Sequence, residues 1–409
     1  MKTVSIIKLL YGIIIVVILM DKFFSLGQVI IEKLHESGYE AYFVGGFVRD
    51  YLLNLESKDV DITTNALPED VEKIFENTKA TGKKYGTISV FIDDLSFEVT
   101  TYRVDQKYLN HRKPESVIFS HKLREDLSRR DFTINALAMN GNLEIIDLFN
   151  GQKDLKNRVI RAIGNPNERF KEDALRILRA LRFVSRLDFS IEENTLLSMK
   201  NNLHLLNELA NERILQELEE IFENSYDKSA VKYMMALGFS DVLPDFSFGL
   251  ETYFKSEIKL DFKQIFALSL FLQKKEISDK WRLSNKDKLL INKFVHILNT
   301  IKNTHFNPLI LYKCGLEISL QTNEILRVLN EQNNQEDLIH KIYHELPIKR
   351  REELEVNGHD IKGFKEINNE EIIGKVIDEI ELQVVLGRLK NEKEVLKAYA
   401  IQLLERLDG

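Results

Sequence analysis

"EAYFVGGFVRDYLLNLESKDVDITT" (Glu40 to Thr64) decides the fold. A short apolar run stops at a glycine pair, Gly45 and Gly46. A helical pattern then restarts at Phe47, and a second strand follows in which Asp59 and Asp61 flank Val60. Residues two apart on a strand share a face, so both carboxylates point the same way. A strand–Gly-Gly–helix junction lets backbone N–H groups approach a phosphate at a helix N-terminus, where the dipole also favours negative charge. Alone, a Gly-Gly pair is most often a tight turn and Asp-x-Asp a solvated strand edge. In this order they describe a phosphate cradle feeding an acidic surface. Arg49, one turn into the helix, is placed to contact a triphosphate or to brace the acidic strand.

Downstream, "GTISVFIDDLSFEVTTYR" alternates on both sides of "DDL", the signature of a hairpin. Glu98 lies on its second strand, with Phe97 and Val99 pointing the opposite way. If that strand neighbours "DVDITT", three carboxylates converge on one surface. Like charges at close range raise each other's pKa. Magnesium resolves the conflict, because it takes oxygen ligands and completes its octahedron with waters and substrate phosphates. A helix is predicted from about Ser25 to Glu36, ending at Gly38, and another opens at Pro68. The first 150 or so residues therefore read as mixed α/β with a small, largely antiparallel sheet. From Glu168 onward nearly every segment reads as helix, with breaks near Pro244, Pro308 and Pro347. The predicted class is α+β, an α/β head on an all-α remainder.

At 409 residues and 44% hydrophobic content the chain buries a large core, enough for roughly two to three domains. A single cysteine, Cys314, excludes a disulfide framework or a cysteine-rich zinc site and fits a reducing compartment. With a net charge of -7, nucleic-acid binding would have to use local basic patches such as "HRKPE" and "KRREE". The apolar run "IIKLLYGIIIVVILM" is broken by Lys8 and too short to span a membrane. Residues 1–19 are expected to be an upstream extension, with Met20 as the start of a protein that is cytoplasmic and meets no membrane. "GHD" at Gly358 to Asp360 has no matching set of metal ligands, so His359 reads as structural.

"FKEDALRILRALRFVSR" (Phe170 to Arg186) is predicted as one helix. At 100° per residue, Ile177, Leu178, Leu181 and Val184 share a core-facing side. Glu172, Arg176, Arg179 and Arg182 occupy the other, with Asp173 at the boundary. In isolation this reads as a charged face braced by pairs such as Glu172 with Arg176.

In combination these segments resemble the DNA polymerase beta type nucleotidyltransferases, and within them the bacterial class II CCA-adding enzymes (tRNA nucleotidyltransferases). "GGFVRD…DVDITT" resembles the metal and phosphate motif, "RRDFTINALA" the sugar and phosphate motif, and "DLFNG" the hinge. "EDALRILRALRF" is similar to the nucleotide-recognition motif, "NERILQELEEI" to the last neck motif, and "LPIKRREELEVNGHDIKG" to the tail.

The resemblance implies a nucleotidyltransferase head over residues 20–158, a helical neck over 159–225, a body over 226–330 and a tRNA-binding tail over 331–409. It implies that Asp59 and Asp61 bind Mg2+, with Glu98 as a third catalytic carboxylate by geometry. Gly46, Arg49 and Arg130 would contact phosphate or sugar, together with Arg179 and Arg182. Asp173 and Arg176 would read the base, with Glu172 orienting the arginine. The substrates implied are tRNA, CTP and ATP, and the assembly is left open, a homodimer included. "TGKKYGTISVFI" looks like the CCA-adding pattern rather than that of poly(A) polymerases. The loop from Thr100 to Leu127 has the full length that CC-only enzymes lack. A CC-adding enzyme, an A-adding enzyme or a poly(A) polymerase of the same superfamily, and a non-catalytic RNA-binding protein of the same fold, remain as alternatives.

Overall fold

The computed structural model describes residues 22–57, 59–105, 108–109, 113–114, 117–302, 304–364 and 370–407. The apolar N-terminal run and most of "HRKPE" lie outside the described residues. The chain divides after Val242 into two compact units. No helix among the described residues is long and apolar enough to cross a membrane.

The first unit is built on strands β1 (Ala41–Val44), β2 (Asp61–Thr64), β3 (Thr78–Gly82), β4 (Thr87–Ile92), β5 (Leu95–Thr101), β6 (Leu137–Met139) and β7 (Ile145–Asp147). Their order across the sheet is β7-β6-β1-β2-β5-β4-β3. Among the described residues of this sheet, β2 and β5 run parallel and the other neighbours are antiparallel. The predicted hairpin is β4–β5, turned at Asp93, whose φ of 52° is the left-handed geometry short hairpin turns need. Phe97 and Val99 are fully buried while Glu98 between them is exposed, as period-two alternation requires. A helix over 22–36 precedes β1, and Gly38, at φ 85°, ends that turn of chain.

Four helices matter for the site: α1 (Gly46–Leu52), α2 (Pro166–Glu172), α3 (Leu175–Leu187) and α4 (Asn211–Glu223). Ile177, Leu178, Leu181 and Val184 of α3 are all buried, as their spacing predicts. Phe132, beside the sheet, meets Phe183 of α3 edge-on at 5.7 Å, which fixes α3 to the strand layer.

The regular elements of the second unit, among the described residues, are all helices. Pro244 and Pro308 each sit in the first turn of a helix, where the missing N–H costs nothing, and Pro347 lies between helices. Gly315, at φ 81°, interrupts the helix Pro308–Leu329. The α+β class holds. In the "KRREE" patch, Arg351 pairs with Asp378 and Glu381 and Arg350 with Glu353, so these two cations are spoken for by neighbouring carboxylates.

Candidate active site

β1 runs straight into Gly45, whose φ of 71° and ψ of -133° only glycine adopts without strain. A Cβ there would stand 3.0 Å from Arg130 Nη1 and 3.6 Å from Asp61 Oδ2. The glycine therefore brings backbone, cation and carboxylate together at one point. Gly45 and Gly46 both face a cavity of about 930 Å³ that also takes in Asp59, Asp61, Arg130, Asp173 and Arg176.

Asp61 opens β2, in register with Val44 of β1 and with Glu98 of β5. Asp59 precedes the strand rather than lying on it, yet the alternation holds: Asp59 is exposed and Val60 is buried. Burial pushes the Asp61 carboxyl up to about 6; Arg130 opposes the shift, and Glu98 and Asp59 add to it. Glu98 thus contributes charge beside Asp61, but it does not line the cavity. Among the described residues no three His, Cys, Asp or Glu side chains form a cation-holding group. At the glycine turn the cavity presents the Asp59–Asp61 pair, and Glu98 is the strand neighbour of Asp61 outside the lining. An all-oxygen pair, one member half-buried against like charge, fits a hard divalent cation.

The helix predicted from Phe170 to Arg186 is two helices, and this corrects the sequence reading. Asp173 is extended, at φ -143° and ψ 102°, between α2 and α3. Its Oδ1 accepts a hydrogen bond from Leu175 N at 3.1 Å, so a carboxylate supplies the donor-satisfying group that a new helix start needs. The break aims Asp173 into the cavity beside Arg176, and it is not a position on a continuous helical face.

The arginines are held by specific partners. Arg176 Nη1 donates to Glu172 Oε2 at 2.9 Å and to Arg169 O at 3.1 Å, and Nη2 donates to Arg129 O at 3.0 Å. The predicted Glu172 brace is present. Arg179 donates through Nε and Nη2 to Asp131 at 2.8 and 2.7 Å, and Arg182 faces Glu217 at 3.3 Å. Arg49 is only 3% exposed; it pairs with Asp50 and donates to Asn135 Oδ1 at 2.6 Å. Arg49 therefore lines the cavity wall with much of its donor set already used. Arg130 donates through Nη2 to Asp126 Oδ2 at 3.4 Å, while its Nε is buried with no hydrogen-bond partner.

Several lining residues escaped sequence reading: Asp50, Asp131, Asn135, Phe183, Arg186 and Arg213. Arg186 reaches Asp50 at 2.8 Å, and the Phe183 ring lies under Arg49, Arg179 and Arg182, 5.0 to 5.9 Å from their guanidinium carbons. Asp131 and Asn135 sit inside "RRDFTIN", whose tight polar spacing was the available signal.

Residues 41–161 match the family described as "Poly A polymerase head domain", 188–249 "Probable RNA and SrmB- binding site of polymerase A", and 262–400 "tRNA nucleotidyltransferase domain 2 putative". The chain is 38% identical over 387 residues to the CCA-adding enzyme of Ligilactobacillus salivarius, covering 92% of this chain and 96% of that one. It is 36% identical to the CCA-adding enzyme of Bacillus cytotoxicus, covering 92% and 98%. The chain belongs to the CCA-adding enzyme family. A crystal structure of the Bacillus stearothermophilus CCA-adding enzyme in complex with CTP is 32% identical, with a TM-score of 0.81 over 94% of this chain and 98% of that one. Within this CCA-adding framework, Gly45 to Arg130 fall in the head match, while Asp173 to Arg182 lie between the first two matched segments.

Proposed function

We infer that this chain is a template-independent nucleotidyltransferase that adds CMP, CMP and AMP from CTP and ATP to the 3′ end of tRNA, releasing pyrophosphate. The observation that carries this reading is one cavity holding both the Asp59–Asp61 pair and the Asp173–Arg176 pair. The first belongs to phosphoryl transfer, and the second has the donor–acceptor pattern of a base edge. The named relatives and the CTP complex support the same assignment.

Asp59 and Asp61 would hold a divalent cation, Mg2+ by this proposal. The chemistry such an ion supplies when bound is acidification of the 3′-hydroxyl and neutralisation of charge on the triphosphate. Arg130, whose Nη1 stands beside the glycine turn, binds phosphate oxygens, and Gly45 and Gly46 allow that approach. Arg179 and Arg182 line the route of the triphosphate or RNA end.

Base choice follows from hydrogen-bond polarity. Cytosine and adenine each present an exocyclic amine beside a ring-nitrogen acceptor. Asp173 accepts from the amine while Arg176, braced by Glu172, donates to the ring nitrogen. Uracil and guanine reverse both groups. Buried mismatches of this kind discriminate by factors of ~10⁴. We assign residues 20–158 to the head, 159–225 to the neck, 226–330 to the body and 331–409 to a tail that grips tRNA chiefly through phosphates and shape.

Asp173→Ala tests the base-reading step. Its preference for CTP over UTP, measured as the ratio of kcat/KM, is expected to fall by roughly 10²-fold or more, with triphosphate binding changed much less. Unchanged selectivity would refute the protein-templated reading.

A further inference from the structure

We propose that Arg213 is a positioning residue for base selection: it holds the Asp173 carboxylate as a fixed, acceptor-only group and so excludes uracil and guanine. The proposal rests on the reading of Asp173 as the base-contacting carboxylate.

Arg213 stands in the first turn of α4, in the segment "NERIL" that has no other role in the site. It lines the cavity, and its Nη2 meets Asp173 Oδ2 at 3.3 Å. The other oxygen, Oδ1, accepts from Leu175 N at 3.1 Å. Two different helices thus grip the two oxygens, and the carboxylate plane has little freedom. The remaining lone pairs are what a base amine can use. Arg213 Nη1 is buried with no hydrogen-bond partner, an arrangement that is unfavourable when left unmet. A nucleotide in the cavity would relieve it.

The charge state matters as much as the geometry. Asp173 is only 17% exposed at its side chain, and burial pushes its carboxyl up, toward the neutral acid. Arg213 is the foremost opposing influence, followed by the Leu175 N–H and Arg176; Arg179, also on α3, adds its charge nearby. A protonated Asp173 would present an O–H donor, and that donor complements the carbonyl of uracil or guanine. One of the two mismatches that reject those bases would vanish. The clash between Arg176 and the ring N–H would remain, so selectivity would drop without disappearing.

The test uses the full chain, Mg2+ and a tRNA transcript lacking CCA, with the CTP-to-UTP ratio of kcat/KM read from about pH 6 to about pH 8. Wild type is expected to keep a flat ratio. Arg213→Gln should lower it at least about tenfold near neutrality and further as pH falls, while Arg213→Lys, which keeps the charge, should retain most of it. Should the glutamine variant fail to fold, the lysine variant still reads the proposal, through a ratio nearer wild type than that of Asp173→Ala. An unchanged ratio in Arg213→Gln beside a collapsed ratio in Asp173→Ala overturns the role of Arg213 and leaves the base reading intact. An unchanged ratio in Asp173→Ala sinks the base reading itself. Equal, pH-independent losses in both Arg213 variants would mean packing only, and would also overturn the proposal.

Discussion

Replacing Asp61 with alanine is expected to slow incorporation of CMP and AMP by roughly 10³-fold or more, a barrier increase of several kcal/mol. Asp61 is the less exposed, half-buried member of the acidic pair and sits 3.6 Å from where a side chain on Gly45 would begin. Its carboxyl is pushed up by burial, so in the free protein it is poorly ionised below about 6. A cation bound beside it would stabilise the ionised form. Removing it leaves Asp59, an exposed residue outside the strand, as the remaining member of the acidic pair. Binding of tRNA should stay near wild type, because phosphate contacts away from this pair dominate affinity. Single-turnover incorporation of labelled CTP together with a tRNA binding curve reads both quantities. Full activity in Asp61→Ala would remove the cation assignment.

Asp131→Ala is expected to cost about 3–4 kcal/mol of folding stability, the penalty for stranding one partner of a buried pair. Asp131 accepts from Phe132 N at 2.8 Å, Asn135 Nδ2 at 3.0 Å and Arg179 Nε at 2.8 Å. Its side chain is 7% exposed and that of Arg179 is 33%, which places the cost toward the lower end of that range. Burial raises the Asp131 carboxyl, but Arg179 and the hydrogen bonds outweigh it and hold the group well below its ordinary 3.8. A depressed carboxylate contributes stability above its unfolded value and loses it as pH falls toward the folded one. The gap in urea midpoint between wild type and Asp131→Asn should therefore stay constant from neutrality to about pH 5 and narrow below 3.8. Equal midpoints at neutral pH would contradict this account.

The parts of the fold that follow from local pattern were legible. The β1–Gly45–α1 junction, the β4–β5 hairpin and the apolar face of α3 each rest on a period or a turn signal contained in a few residues. The break at Asp173 was not legible, because apolar spacing continues across it and only a side-chain bond to Leu175 N marks the stop. Long-range pairs were invisible for a different reason. Arg186 with Asp50, Arg179 with Asp131 and Arg213 with Asp173 join residues 40 to 136 positions apart, and spacing carries no information at that range. Asp59 and Asp61 were found because alternation is local; the unequal burial of the two depends on the neighbouring β1 and β5.

The central claim is that one cavity supplies both the transfer chemistry and the choice of base. Its most direct test takes purified full-length chain with Mg2+ and tRNA transcripts ending at the discriminator base, at CC, or at CCA. Each is supplied with single labelled nucleotides or with CTP and ATP together, and the products are resolved to one nucleotide. The prediction is two C additions followed by one A and then arrest, with no extension from UTP or GTP. Arrest after CC, long A tracts, or tRNA binding without incorporation would contradict it.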